Sequence, residues 1–178
     1  MSMISVAEAL ERVLTGIEGP VEATHVPIAE AAGRTLAADL AATRDQPPFP
    51  ASAMDGYAVC NADLDHLPTT LRVIGASVAG RAYPGRVGAG EAIRILTGAP
   101  IPEGADAIVI QEDTVLSGSE VTIRAKEPPG RYVRPAGLDF RQGDVLLRAG
   151  ERLDARRLML AAAAGSGTLE VRRRPRIA

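Results

Sequence analysis

The stretch Gln46-Pro47-Pro48-Phe49-Pro50 restricts what this chain can fold into more than any other. Proline fixes φ and lacks an N–H, so the segment cannot be helical and cannot donate to a sheet ladder at three positions. It therefore marks a boundary. Before it, Ser5-Val6-Ala7-Glu8 forms a capping box, and Val6, Leu10, Val13, Leu14 and Ile17 follow at helical spacing until Gly16 and Gly19-Pro20 stop the run. "VPIAEAAGRTLAADLAA" then reads as a strand entering a short helix at Ile28 to Ala32, closed by Gly33 at C′. A second strand follows, in which Leu36, Ala38 and Leu40 alternate.

From Gln46 to about residue 140 the pattern is different. The short apolar runs "YAV", "LRVIGASV", "AIRIL", "AIVIQ" and "VTIRA" are separated by "AGRAYPGRVGAG", "TGAPIPEGAD" and "PPGRYVRPAG", which predicts a compact all-β module. Beyond Asp139, "DVLLRAG" reads as a strand. "LDARRLMLAAAAG" reads as a helix with Asp154 near its start and Gly165 at C′, and "TLEVRRR" as a strand. Helix-containing ends thus flank a β middle. The economical arrangement is an α+β chain whose ends, 1–46 and 141–178, form one domain with 47–140 inserted between them. The helices around "LERVL" and "LMLAAAA" carry apolar stripes too small to be stable unpaired, so they are expected to pack within that one domain. The closing "RRRPRIA" reads as the opening of another strand, as in an excised piece of a longer protein.

Composition narrows the function. The chain has 178 residues, 46% of them hydrophobic, enough for one ordinary or two small globular domains. Aromatics are 3% with no Trp, which removes the stacking platforms of nucleic-acid binders. No apolar run approaches the roughly 18 residues of a membrane span, and the acidic, amphipathic "MSMISVAEALERVL" is unlike a signal peptide, so no membrane association and a cytoplasmic location are expected. A single cysteine, Cys60, and two distant histidines, His25 and His66, make no soft-metal ligand set. Charge is uneven: residues 1–119 carry 7 basic and 15 acidic side chains, residues 120–178 carry 13 and 7. That asymmetry could steer an anion, attract opposite halves of two subunits, or simply solvate a basic face.

No GxSxG elbow, P-loop or CxxC is present, so acyl-enzyme, nucleotide-loop and thiol chemistry find no support. What remains is three glycine-rich loops, each with a hard oxygen ligand: Asp55 in "SAMDGYAV", Thr97 in "RILTGAPIPEGADAIV" and Asp139 in "VRPAGLDFRQGD". Taken singly, each has a plain structural reading, since Asp before Gly caps turns and Thr-Gly-Ala-Pro ends strands.

Taken together, "PFPASAMDGYAV", "AGRAYPGRVGAGEAIRILTGAPIPEGADAIVIQEDT" and "GLDFRQGDVLLRAGERLDARRLMLAAAAGSGTLEVRRRPRIA" resemble, in order and spacing, the N-terminal half of the MoeA-type molybdopterin molybdenumtransferases, the family that includes the gephyrin E domain. The likeness covers essentially the whole chain. It implies an elongated mixed domain built from both chain ends, used in dimerisation, and an inserted β domain carrying active-site loops. The activity it implies is molybdenum cofactor biosynthesis: magnesium-assisted cleavage of the pyrophosphate linkage of adenylylated molybdopterin, leaving molybdenum from molybdate on the dithiolene and releasing AMP.

Carried onto this chain, the resemblance makes Asp55, Thr97 and Asp139 the catalytic candidates and Ser52, Gly56, Gly98 and Arg134 the substrate-binding ones. Asp55 and Asp139 become the carboxylates for Mg²⁺, which takes hard oxygen ligands, commonly one or two carboxylates plus substrate phosphates. The partners implied are a second subunit and contact with the molybdopterin adenylyltransferase. The family cleft joins the N-terminal region of one subunit to the pterin-binding domain of the other, so this chain, without pterin-binding and C-terminal domains, supplies one wall and is expected to be inactive alone. The third loop departs from the family pattern of three arginines, a glycine and a Glu-Asp pair. Here it reads Arg134-Pro135-Ala136-Gly137-Leu138-Asp139, and the lost guanidinium donors weaken anion recognition there. The alternative reading is a dimerisation or scaffold module without catalysis.

Overall fold

In the computed structural model, which describes residues 4–16 and 19–175, the chain divides into two units. One is made of the segments up to Thr43 and from Gly143 onward, and the other of Arg44–Gln142. This division removes the charge asymmetry of the linear sequence. The first unit holds 10 basic and 10 acidic residues and the second 10 and 12, because the basic C-terminal segment folds with the acidic N-terminal one.

The first unit is tied by its ends. Strand β1 (Ala23–Pro27) pairs antiparallel with the last strand, β12 (Thr168–Arg172), in the register Ala23↔Arg172 to Pro27↔Thr168. A shorter pair joins β2 (Leu40–Ala41) to β11 (Val145–Leu147). Helix α2 (Ala155–Ala163) starts at Asp154, whose Oδ1 accepts from the Arg157 amide at 2.9 Å, and stops before Gly165 at φ +92°. It covers a core of Ala31, Leu36, Leu147, Leu153, Leu169 and Val171, with Leu158 and Leu160 packed at the side.

Three local expectations change. The segment read as a helix from Ile28 is a single 3-10 turn, Ile28–Glu30, although Gly33 does take the expected positive φ of +72°. The strand expected across Leu36 and Ala38 is reduced to bridges at Thr35 and Leu36 and the two residues of β2. The chain bends there as Asp39 accepts from the Ala149 amide at 2.8 Å and from Arg148 at 2.7 Å.

The third change concerns helix α1 (Val6–Thr15), capped by Ser5 as its sequence requires. It buries no residue: Val6 is 87% exposed, Val13 65% and Leu10 57%. The core around α2 is filled by residues of β11 and β12 and of the loops at Ala31, Leu36 and Leu153, with none from α1, so α1 and α2 share a unit without a shared interior. Ile17, the last member of the apolar stripe, lies outside the described residues, as do the final Arg176-Ile177-Ala178 of "RRRPRIA".

The Arg44–Gln142 unit is built on a six-stranded sheet. Its members in chain order are β4 (Gly56–Val59), β5 (Thr69–Ser77), β6 (Glu91–Ile95), β7 (Ala107–Ile110), β8 (Thr114–Ser117) and β9 (Glu120–Ile123). They lie in the order β7-β4-β6-β5-β9-β8, all antiparallel except β5–β6. All four residues of β4 are buried, because its alternating side chains feed two cores: Tyr57 and Val59 with Leu71, Val109 and Val121, and Ala58 with Ile93, Ile95 and Ile108. A separate two-residue ribbon pairs β3 (Ala51–Ser52) with β10 (Val133–Arg134). Among the described residues no helix is long and apolar enough to cross a membrane.

The contrast between α1 and the first unit's core yields a stability prediction. Leu36→Ala, at a side chain 2% exposed, is expected to cost about 2–5 kcal/mol. Val13→Ala on α1 should cost about 0.5 kcal/mol or less, as surface changes do. Urea titration of the two variants checks this, and a Val13→Ala cost matching that of Leu36→Ala would show that α1 is packed.

Candidate functional site

The loop from Ser52 to Asp55 is short and fully specified by its hydrogen bonds. Ser52 is completely buried, and its hydroxyl donates to the Met54 carbonyl at 2.6 Å while facing the Met54 amide at 3.3 Å. Its backbone is held from the neighbouring loop, with Ser52 N–H donating to the Ala99 carbonyl at 2.9 Å and Gly98 N–H to the Ser52 carbonyl at 2.8 Å. Gly98 makes that turn at φ +81°, a conformation that L side chains rarely adopt. Ser52 and Gly98 thus lock two loops together.

Gly56 follows immediately and allows no side chain. A Cβ placed on it would stand 1.9 Å from the Val109 carbonyl oxygen. The absent side chain is what lets β7 run against β4, in the register Gly56↔Ile110, at the point where Asp55 leaves the sheet.

Asp55 is gripped at its carboxylate by the end of β6. Its Oδ1 accepts from the Thr97 amide at 2.7 Å and from the Thr97 hydroxyl at 2.8 Å. These bonds, the amide first and then the hydroxyl, hold the carboxyl below the usual carboxylate range against the opposing effect of burial, with the Arg94 charge adding a still weaker attraction. A lowered carboxylate is not peculiar to this loop, since Asp39, Asp65, Asp154 and Glu151 are lowered by amide, Lys or Arg partners elsewhere. What distinguishes Asp55 is that its partner comes from the second glycine-rich loop.

Asp139 is held differently. Its Oδ1 lies 3.3 Å from an Arg134 terminal nitrogen, with both side chains 47% exposed, and its amide donates to the Gln46 carbonyl at 2.8 Å. Arg134 faces Ala51 across the β3–β10 ribbon. Because the ribbon is antiparallel, the chain reaches Asp55 beyond one end and Asp139 beyond the other. The fold therefore brings Asp55, Thr97, Ser52, Gly56 and Gly98 into one constellation, and pairs Arg134 with Asp139 in a second. Among the described residues no group of three or more His, Cys, Asp or Glu side chains gathers as a metal site.

Two residues in the first constellation escaped sequence reading. Arg94 and Gln111 stand beside Asp55, with Gln111 N–H donating to the Asp55 carbonyl at 3.1 Å and Arg94 bonded to both Gln111 and Gly56. With Tyr57, Thr114 and Ser119 they line an open groove of about 620 Å³. In sequence Arg94 is only the polar member of an alternating strand, "AIRIL", so periodicity gave no signal for it.

Residues 4–165 match the family described as the MoeA N-terminal region, domains I and II. The chain is 39% identical over 175 residues to a molybdopterin molybdenumtransferase of Synechococcus elongatus, covering 95% of this chain and 43% of that protein. It is 36% identical over 164 residues to one of Haemophilus influenzae, covering 92% and 40%. The crystal structure of the molybdopterin biosynthesis moeA protein from Pyrococcus horikoshii OT3 superposes with a TM-score of 0.86 at 33% identity, over 98% of this chain and 47% of that one. The chain thus spans somewhat under half the length of these relatives. A matched family region running from the first described residue past the end of α2, with the β1–β12 pairing and the sheet in place, shows that this chain belongs to the MoeA family and corresponds to its N-terminal region.

Proposed function

We propose that this chain contributes one wall of the site in which molybdate is inserted into adenylylated molybdopterin with release of AMP, the opposite wall coming from the pterin-binding domain of a second subunit. The observation that carries this reading is the double hydrogen bond from Thr97 to Asp55 Oδ1, which joins the two glycine-rich loops and fixes a carboxylate at their edge. In this reading Thr97 orients Asp55 and keeps it ionised, while buried Ser52 and Gly56 hold the loop rigid beneath it.

The donor chemistry suits Mg²⁺ in type and is incomplete in number. Asp55 offers a hard carboxylate whose Oδ1 alone takes the Thr97 bonds, whereas Asp139, the second carboxylate of this reading, sits with Arg134 in the other constellation, so this loop pair supplies one carboxylate. A shell completed by water and substrate phosphate oxygens matches how this ion is usually held. When bound, it would neutralise charge on the pyrophosphate linkage being broken. Arg134 is the one guanidinium left from the family's third-loop pattern and serves as the phosphate-facing cation in this assignment. The exposed apolar stripe of α1 favours a subunit contact as well, so a purely dimerising or scaffolding role is the second reading.

Three outcomes follow. The 178-residue chain alone should show no turnover of adenylylated molybdopterin above a contamination control, and turnover by it would sink the one-wall assignment. In the chain assayed together with a pterin-binding domain, Asp55→Asn keeps an oxygen for both Thr97 donors but loses the charge. It should lower molybdenum transfer about 100-fold or more with little change in Tm. A strongly lowered Tm with unchanged transfer per folded molecule would make Asp55 scaffolding and leave the second reading standing. The third outcome is a pH effect. A carboxyl lowered in the folded state stabilises fully above its unfolded pKa, and that contribution is lost as pH falls through the lowered folded value. Thr97→Val removes the hydroxyl donor and keeps the amide, so the Asp55 pKa should rise part of the way toward its ordinary value, moving the loss to higher pH. A side-chain ¹³C titration reads this directly, and an unmoved Asp55 would show that the hydroxyl bond contributes nothing.

A further inference from the structure

Arg94 faces Tyr57 across the β4–β6 ladder, with its guanidinium carbon 5.2 Å from the ring centroid. One terminal nitrogen donates to the Gly56 carbonyl at 3.3 Å and the other to Gln111 Oε1 at 2.7 Å. Gln111 in turn donates its backbone N–H to the Asp55 carbonyl at 3.1 Å. A closed circuit results: the carbonyls of Asp55 and Gly56 are bound by Gln111 and Arg94, and those two residues are bound to each other. Three residues further along the chain from Arg94, Thr97 takes hold of the Asp55 carboxylate.

Both terminal nitrogens are engaged by protein acceptors, which commits two of the five guanidinium N–H groups to the Asp55–Gly56 loop and Gln111. Its stacking on Tyr57 fixes the plane of the fork further. We infer that Arg94, with Gln111 as its arm, is a positioning residue: it fixes the backbone of Asp55 so that the carboxylate meets Thr97. This rests on the assignment of Asp55 given above and identifies what holds that residue in place.

The test reads the Thr97 amide, whose acceptor is Asp55 Oδ1, by hydrogen–deuterium exchange in the ¹⁵N-labelled 178-residue chain. Arg94→Met keeps an unbranched chain over Tyr57 and removes every donor. Gln111→Leu removes the acceptor of one arm, and Gln111→Glu restores an acceptor that arginine binds well. The expected result is Thr97 exchange faster by about tenfold or more in Arg94→Met, a smaller rise in Gln111→Leu, and a return toward wild type in Gln111→Glu. The amides of Ile93 and Val109 should be unchanged throughout. Unaltered Thr97 exchange in a folded Arg94→Met chain overturns the inference, as does an equal rise at Thr97, Ile93 and Val109, which would mark general loosening of the sheet. If Arg94→Met fails to fold, the two Gln111 variants decide on the same criterion. The outcome is separate from the transfer assay on Asp55→Asn: the clamp can fail with Asp55 still functional, and Asp55 can prove to be scaffolding with the clamp intact.

Discussion

The two-unit organisation depends on a pinch between distant parts of the chain. Ala42 N–H donates to the Asp144 carbonyl and Gly143 N–H to the Ala42 carbonyl, each at 2.8 Å, so the chain leaves the first unit and returns to it at one place. Closing so long a loop costs entropy, but the cost grows only logarithmically with length, and the β1–β12 ladder and the core beneath α2 can offset it. Once the ends are fixed, the Arg44–Gln142 segment can settle its own strand order. It repeats the pinch internally, with Gln46 N–H donating to the Phe140 carbonyl at 2.9 Å. This places Gln46-Pro47, which cannot serve as an interior strand, against the Asp139 loop, where it need satisfy only its outward groups.

Inside that segment the packing around β4 and the geometry of Asp55 have the same origin. A strand buried on both faces tolerates little variation, and at Gly56 even one carbon would strike the backbone of β7. The turn leading into β4 is held at Ser52 by hydrogen bonds and at Gly56 by the backbone of β7, so Asp55 is carried on a tightly packed support although it is only half-buried. The acidic residue in an otherwise apolar string is tolerated because its charge faces the second loop, where an amide and a hydroxyl receive it, and so it escapes the cost of burial without a partner.

How much of this was legible in the sequence depended on the kind of signal. Capping residues and glycine stops announced themselves, as at Ser5, Asp154 and Gly165, because a side chain or a missing Cβ acts within one turn of its own position. The β runs were readable from alternation. By contrast, β3 and β10 have two residues each and no periodicity to detect, and the edge strand β8 exposes Val115, Leu116 and Ser117. The exposure of α1 was illegible for a different reason: its apolar stripe is a true one, and nothing local says whether the covering surface lies in the same chain. At the site, Asp55 and Thr97 stood out by their glycine-rich surroundings, whereas Arg94 and Gln111 act through backbone carbonyls brought near only by strand pairing.

The same distinction bears on the third loop. Gly137 has φ +68°, and a Cβ there would stand 2.8 Å from the Arg141 side chain, so its backbone role is independent of what the neighbouring side chains recognise. Arg134 and Asp139 keep each other company at 3.3 Å, both well exposed, in a geometry worth little to stability. Pro135, Ala136 and Leu138 add no charge, and Leu138 is 53% exposed. The loop therefore has its backbone scaffold and a single loosely held ion pair. Loose pairing of this kind costs little to break, so either side chain can leave the other without stranding a buried charge. A tightly buried pair could not part without leaving an uncompensated charge. The pair's weakness as a structural bond thus leaves the loop's shape to its backbone, with Arg134 and Asp139 as its charged side chains between residues 134 and 139.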